Sequence, residues 1–188
     1  MTKLIRFFGL PLLLSPALSA FAADDTLAQQ RAQIRKEAQK TLQLLYSVQP
    51  SARGAVEKAY GYAVFSTFGM KILFAGGGSG KGFAVSRDPK REIFMKMAQV
   101  QAGLGFGIKE TQLVFVFLNR EAFSQFVDSG WEMSGQGSVA ATDGGQGLSL
   151  DGSVAVSPGV WLYQITGRGL AAQLTISGTK YYRDDELN

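Results

Sequence analysis

The sequence predicts an α+β fold: an antiparallel β-barrel or sandwich of many short strands, with an N-terminal helical segment and one further helix packed on it. Three observations lead there. Apolar residues recur at helical spacing as far as Ala59, the spacing shortens to two from Gly61 onward, and short alternating runs bounded by turn residues then continue to the C-terminus. A helical segment followed by many short strands is the pattern of helices packed on an antiparallel sheet.

The elements follow in order. Met1 to Arg6 carries Lys3 and Arg6, Phe7 to Leu18 is apolar, and Ala20-Phe21-Ala22 is a small-x-small site, so residues 1–22 read as a secretory signal cleaved after Ala22. The apolar run holds Pro11 and Pro16 and falls short of the roughly 20 residues that span a bilayer. Asp24 to Val48 predicts an amphipathic helix, with Leu27, Ile34, Ala38, Leu42 and Leu45 on one face and Arg31, Arg35, Lys36 and Lys40 on the other. Asp25 or Thr26 is placed to cap it. Pro50-Ser51 breaks the chain before a short helix, Ala52 to Ala59. Residues 23–59 thus form a helical segment and 60–188 the β-rich part of one domain, a mature chain of ordinary single-domain size.

Strands are expected at Tyr62 to Ser66, Lys71 to Ala75, Gly80 to Arg87, Ile93 to Gln99, Gly103 to Ile108 and Gln112 to Leu118. Asn119 then opens a helix with Phe123, Phe126 and Val127 on its apolar face, which Gly130 ends. Glu132 to Ala141, Gln146 to Val156, Val160 to Thr166 and Leu170 to Tyr182 complete the strands. Ser157-Pro158-Gly159 and Gly167-Arg168-Gly169 link the last three as a meander.

Composition removes several classes of function. The chain has no histidine and no cysteine, so a Ser-His-Asp triad, a cysteine nucleophile, the usual zinc sites and any disulfide are all excluded. No catalytic residues, metal ligands or cofactor are assigned. Loss of Lys3 and Arg6 with the signal lowers the net charge from +4 to +2, which gives no argument for nucleic acid.

The stretch "FAGGGSGKGFAVSR", Phe74 to Arg87, resembles a phosphate loop at first sight. Aligned on Gly80-Lys81, the P-loop pattern needs glycine where Ala75 stands and a hydroxyl where Gly82 stands. The dinucleotide pattern fails likewise, at Lys81 or Phe83. Gly77-Gly78-Ser79-Gly80 and Gly144-Gly145-Gln146-Gly147 open like calcium-binding nonapeptides but lack the aspartate and the tandem array. Gly78, Gly80 and Gly82 alternate along a strand, as do Gly103, Gly105 and Gly107. Such a face suits either sharp bends and close strand packing or a smooth floor beneath a bound molecule.

Basic and apolar residues mix in "SRDPKREIFMKM", Ser86 to Met97. Arg87, Lys90, Arg91 and Lys96 outweigh Asp88 and Glu92, with Phe94, Met95 and Met97 beside them. That suits either a charged hairpin turn or an anionic membrane surface, toward which each basic side chain contributes about 1 kcal/mol. Lys71, among Phe65, Phe68, Ile72 and Phe74, belongs on the solvent face of an edge strand or at the mouth of an apolar site.

Ala59-x-Gly61-Tyr62-Ala63-Val64-Phe65, Lys71, and Phe74-x-Gly76-Gly77-Gly78-x-Gly80-x-Gly82 together resemble the opening motif of the SYLF domain family. The resemblance continues through Gly103-x-Gly105-x-Gly107, Leu113 to Leu118, Phe123 and Phe126, Gly130-Trp131 and the ending "GTKYYRDDELN". It implies lipid binding. Eukaryotic members bind phosphoinositides beside SH3 or FYVE modules, and fungal ones also actin; in an exported chain the part that carries over is phospholipid. The resulting expectation is a non-enzymatic, periplasmic or secreted protein, peripheral to an anionic phospholipid membrane. Its lipid-binding residues would be Phe68, Lys71, Phe74, Lys81, Arg87, Lys90, Arg91 and Lys96, with a glycine motif of Gly76, Gly77, Gly78, Gly80 and Gly82. The alternatives are a structural or protein-interaction module without a lipid ligand, and an outer-membrane barrel, against which the helices argue.

Overall fold

A computed structural model describes residues 17–66, 77–100, 111–133, 150–166, 169–170 and 179–188, with the side chains of 17–24, 77–78, 99–100 and 133 set aside. Two helices come first, α1 (Ala17–Val48) and α2 (Ser51–Lys58). Helix α1 begins ahead of the expected Asp24. Beyond Pro16 the run from Ala17 to Ala23 contains four alanines and no breaker, so strong helix formers carry the helix upstream. Asp25 and Thr26 therefore lie inside it and not at its cap.

The strands are β1 (Gly61–Ser66), β2 (Gly77–Arg87), β3 (Lys90–Val100), β4 (Thr111–Phe117), β5 (Trp131–Met133), β6 (Val154–Ser157), β7 (Val160–Thr166), β8 (Gly169–Leu170) and β9 (Thr179–Arg183). They form one antiparallel sheet in the order β5-β9-β3-β2-β1-β4-β7-β6, with β8 on β7. Between β4 and β5 stand α3 (Arg120–Ser124) and a π-helical turn, Gln125–Ser129. Asn119 is extended and its side chain accepts from the Ala122 N–H at 2.9 Å, the expected N-cap. Gly130 ends the segment at φ +73°, a conformation that a side chain disfavours.

Ala122, Gln125 and Phe126 share a cleft with Trp131 of β5 and with Ser157, Pro158 and Val160 of β6–β7. Both ends of the sheet thus border the same helical segment, so the sheet curls around it. Of barrel and sandwich, the structure takes the barrel-like curl. Strand alternation then separates two cores. Leu113, Phe115 and Phe117 of β4 point inward with Ala63, Phe65, Met95, Met97, Leu162 and Tyr181, closed by Phe123 and Phe126. Val114 and Val116 point outward with Val64, Phe83, Phe94, Tyr163 and Ile165, closed by Ala38 and Leu45 of α1 and Val56 of α2. Strand β4 is apolar on both faces because both are covered.

The expected strands at Lys71–Ala75 and Gly103–Ile108, most of those beginning at Glu132 and Leu170, and the start of the one beginning at Gln146 lie outside the described residues. Ser66 of β1, Gly77 of β2, Val100 of β3, Thr111 of β4 and Thr179 of β9 stand at one end of the sheet. The β2–β3 turn, the α2–β1 and β4–α3 junctions and the β6–β7 turn occupy the opposite end.

Candidate lipid-binding site

Phe68, Lys71, Phe74 and Gly76 lie outside the described residues, and Gly77 and Gly78 are defined by backbone alone. The other two glycines of the motif answer the choice between packing and floor. Gly82 stands opposite Phe65 in the β1–β2 register, and a Cβ there would overlap the Phe65 ring. A Cβ at Gly80 would come within 2.9 Å of the Met97 methyl. At both positions a neighbouring side chain fills the gap; these glycines let bulky residues lie flat on the inner face.

The basic residues do not converge on one patch. Lys81 and Lys96 face each other across β2 and β3 on the outer face, a pairing unfavourable for like charges unless each finds a partner. Lys81 Nζ donates to Gln30 Oε1 at 2.7 Å. Lys96 Nζ lies 2.8 Å from Asp184 Oδ1 and 3.3 Å from Glu186 Oε2, and the Asp184 side chain is fully buried. Its hydrogen bond to Asp184, with the second carboxylate, outweighs desolvation and holds the Lys96 ammonium above its ordinary pKa. Arg87 donates through Nε to Ala59 O and through Nη2 to Val56 O, both at 2.9 Å, and so satisfies the open carbonyls at the end of α2. Phe94, Met95 and Met97 are core residues, 4 %, 0 % and 1 % exposed, and so are not available to insert at an interface.

What reaches solvent is the tip of the β2–β3 hairpin. Lys90 is exposed and forms no ion pair among the described residues; Arg91 is exposed and only 3.9 Å from Asp128. The fold adds two cations that sequence spacing did not connect to them, Lys58 at the end of α2 and Arg120 at the start of α3, both exposed and unpaired among the described residues. No sequence signal joins these segments; the β1–β2 and β1–β4 registers bring them to one end of the sheet.

The basic face of α1 is partly consumed as well. Arg31 Nε donates to Leu187 O at 2.9 Å, Arg35 pairs with Glu92 at 3.0 Å and lies over the Phe94 ring, and Lys40 pairs with Glu37. Beside them the Asn188 side chain accepts from the Phe94 N–H and donates to the Phe94 carbonyl, so one side-chain amide mimics a strand partner. No described helix is long and apolar enough to cross a membrane, and the described residues contain no group of three or more potential metal ligands. A membrane barrel would turn an apolar outer band to lipid, whereas here that face carries α1, α2 and the second core.

The architecture defines the class: a curled antiparallel sheet with helices on both faces. Residues 98–188 match the family described as Ysc84, Las17-binding protein actin regulator. Just under half of the chain is thus similar to that family, in keeping with the SYLF resemblance that the motifs carry. The chain is also similar to beta cell expansion factor A of Aeromonas veronii, 34% identical over 162 residues, which is 86% of this chain and 60% of that protein. It thus spans less than two thirds of the length of that relative.

Proposed function

We propose that this is a non-enzymatic exported protein that binds phospholipid and docks on an anionic membrane of the cell envelope. The observation that carries the reading is the basic hairpin end of the sheet. Lys90 and Arg91 project there, and Lys58 and Arg120, unpaired among the described residues, stand at the same end, where Asp88, Glu121 and Asp128 only partly offset them. At about 1 kcal/mol per basic side chain near an anionic surface, three or four cations give a weak, reversible, salt-sensitive attachment. The family match supports a binding role in general, and the lipid-binding character of the resembled family supports this ligand.

Cosedimentation with phosphatidylglycerol or cardiolipin vesicles tests it. Binding is expected at low salt, falling as salt rises, and K90E/R91E should weaken it. A folded protein that stays in the supernatant at low salt would overturn the reading. The family description favours a second reading, a protein-interaction module of the envelope, because it names a protein partner. Partners captured equally well with and without lipid would support that one.

A further inference from the structure

On the outer face, beside α1, four cations gather around one short segment. Arg31 and Arg35 stand one turn apart on α1, while Lys81 and Lys96 stand opposite each other on β2 and β3. Like charges at either spacing repel unless they are answered. Much of the answer is Asp184–Asn188, the segment that follows β9. Lys96 reaches Asp184 and Glu186 at 2.8 and 3.3 Å, and Arg31 Nε donates to the Leu187 carbonyl at 2.9 Å. Arg35 lies 5.0 Å over the ring of Phe94, the residue on which the segment is hooked.

This segment is held differently from the strands. The pairing of β9 with β3 stops at Arg183 and Met95. Beyond it the Asp184 N–H donates to Phe94 O at 2.9 Å, the Asn188 side-chain amide bonds the Phe94 N–H and carbonyl at 3.0 and 2.8 Å, and Leu187 tucks in its side chain. So short and local a hold opens with the rest of the sheet intact. The segment also carries more charge than its packing uses. Asp184 is buried against Lys96, but the Asp185 and Glu186 side chains are 92 % and 79 % exposed. Arg31, in turn, is met by a main-chain carbonyl and Lys81 by the neutral Gln30 amide, so this face keeps positive charge that the neighbouring carboxylates offset through space.

We propose that Asp184–Asn188 is an intramolecular cover over a second basic face, and that Arg31, Arg35, Lys81 and Lys96 meet an anionic phospholipid surface when the cover lifts. The inference rests on the lipid-binding reading and adds its regulation. Lys90 and Lys96 share the outer face of β3, so a membrane met by the hairpin tip borders the covered cations. Headgroups then compete with the segment's carboxylates for Lys96 and its neighbours. Attachment has two strengths, weak with the cover closed and tighter with it open. The four cations come from a helix and two strands, so an extended anionic surface reaches more of them at once than a single small ion does.

The test uses phosphatidylglycerol vesicles and N188A, because the Asn188 side chain is uncharged and its loss loosens the cover without altering the electrostatics. N188A should bind about fivefold tighter than the parent, the effect of one further basic side chain at the surface. Adding K81E should remove that gain, whereas K90E/R91E should weaken both proteins and preserve the ratio between them. Hydrogen exchange gives a second readout: the Asp184 and Leu187 amides should exchange faster in the vesicle-bound parent than in the free one. If N188A does not fold, D185N/E186Q is compared with E57Q/D151N, which makes the same change of charge elsewhere, and the first pair should gain more. Binding by N188A alone would support the cover and strike the hairpin reading. Equal, measurable binding by folded parent and N188A, or a bound parent whose Asp184 and Leu187 amides exchange no faster, would overturn the proposal and leave the lipid-binding reading standing. No binding by either protein would overturn both.

Discussion

The two faces of the sheet are built from the same strands and closed by different means. Inside, one short segment that is local in sequence, α3 and its π-helical turn, inserts Phe123 and Phe126 among Phe65, Phe115, Phe117 and Tyr181, with ring centroids 4.8 to 6.4 Å apart. Outside, the covering comes from both ends of the chain: α1 lies over Phe83 and Phe94, and Leu187 is buried beside it. The inner core depends on shape, since Gly80 and Gly82 leave room that only Met97 and Phe65 fill. The outer core adds charged clasps at its margin, Lys96 with Asp184 and Arg35 with Glu92. Aromatic packing tolerates little change of volume, whereas marginal clasps are lost one at a time.

The sharpest way to break that contrast is inside. Phe65→Ala should cost about 3–5 kcal/mol in denaturant unfolding, because it removes a fully buried ring and leaves a void above Gly82. Gly82→Ala should be destabilising alone and much less so on top of Phe65→Leu. A double-mutant cycle that came out additive would show that the two positions do not share one space.

On the outer margin, Lys96→Met should cost about 3 kcal/mol, the low end for stranding one partner of a buried pair, since Asp184 is fully buried while Lys96 keeps some solvent contact. Restoring the unmodified stability by Asp184→Asn in the same chain would confirm that the stranded carboxylate is the cause.

Alkaline pH acts on both faces at once. The Lys96 pKa stands above 10.5, through Asp184 first, and burial raises those of Tyr46, Tyr62, Tyr163 and Tyr181 above 10.0. In each case the folded protein holds its proton more tightly than the unfolded chain, so the unfolded state releases protons first as pH rises. These groups should leave stability level below about pH 10 and reduce it progressively above, readable in urea midpoints. Tyr181→Phe should lessen the alkaline loss, and an unchanged slope would remove Tyr181 from the account. The smallest effect on stability is expected at the exposed tip: Lys90→Glu should shift it by no more than about 0.5 kcal/mol while vesicle binding falls, the reverse of Lys96→Met.

Much of the fold was legible in the chain. The strand Val160 to Thr166 forms over those same residues, and Asn119 and Gly130 delimit the inner helix, because period, capping and turn chemistry are local properties. The start of α1 was misplaced, since a signal-like composition rich in alanine is also a good helix. The site was less legible. Arg87, Lys90, Arg91 and Lys96 look alike in a run of basic residues, yet the first closes a helix, the last neutralises a buried aspartate, and the two between them face solvent.

By itself, then, the sequence determined the fold class, a family resemblance and the absence of histidine and cysteine chemistry. Alternation also assigned Gly78, Gly80 and Gly82 to one face of a strand. Only the tertiary structure decided that Lys96 would be held by Asp184 and Glu186 while Lys81 meets Gln30 of α1, and that Phe65 would fill the space above Gly82. The reason is physical: periodicity states which side of a strand a residue occupies, whereas its partner comes from wherever the folded chain returns, and that partner sets whether a charge or a glycine serves packing or a ligand.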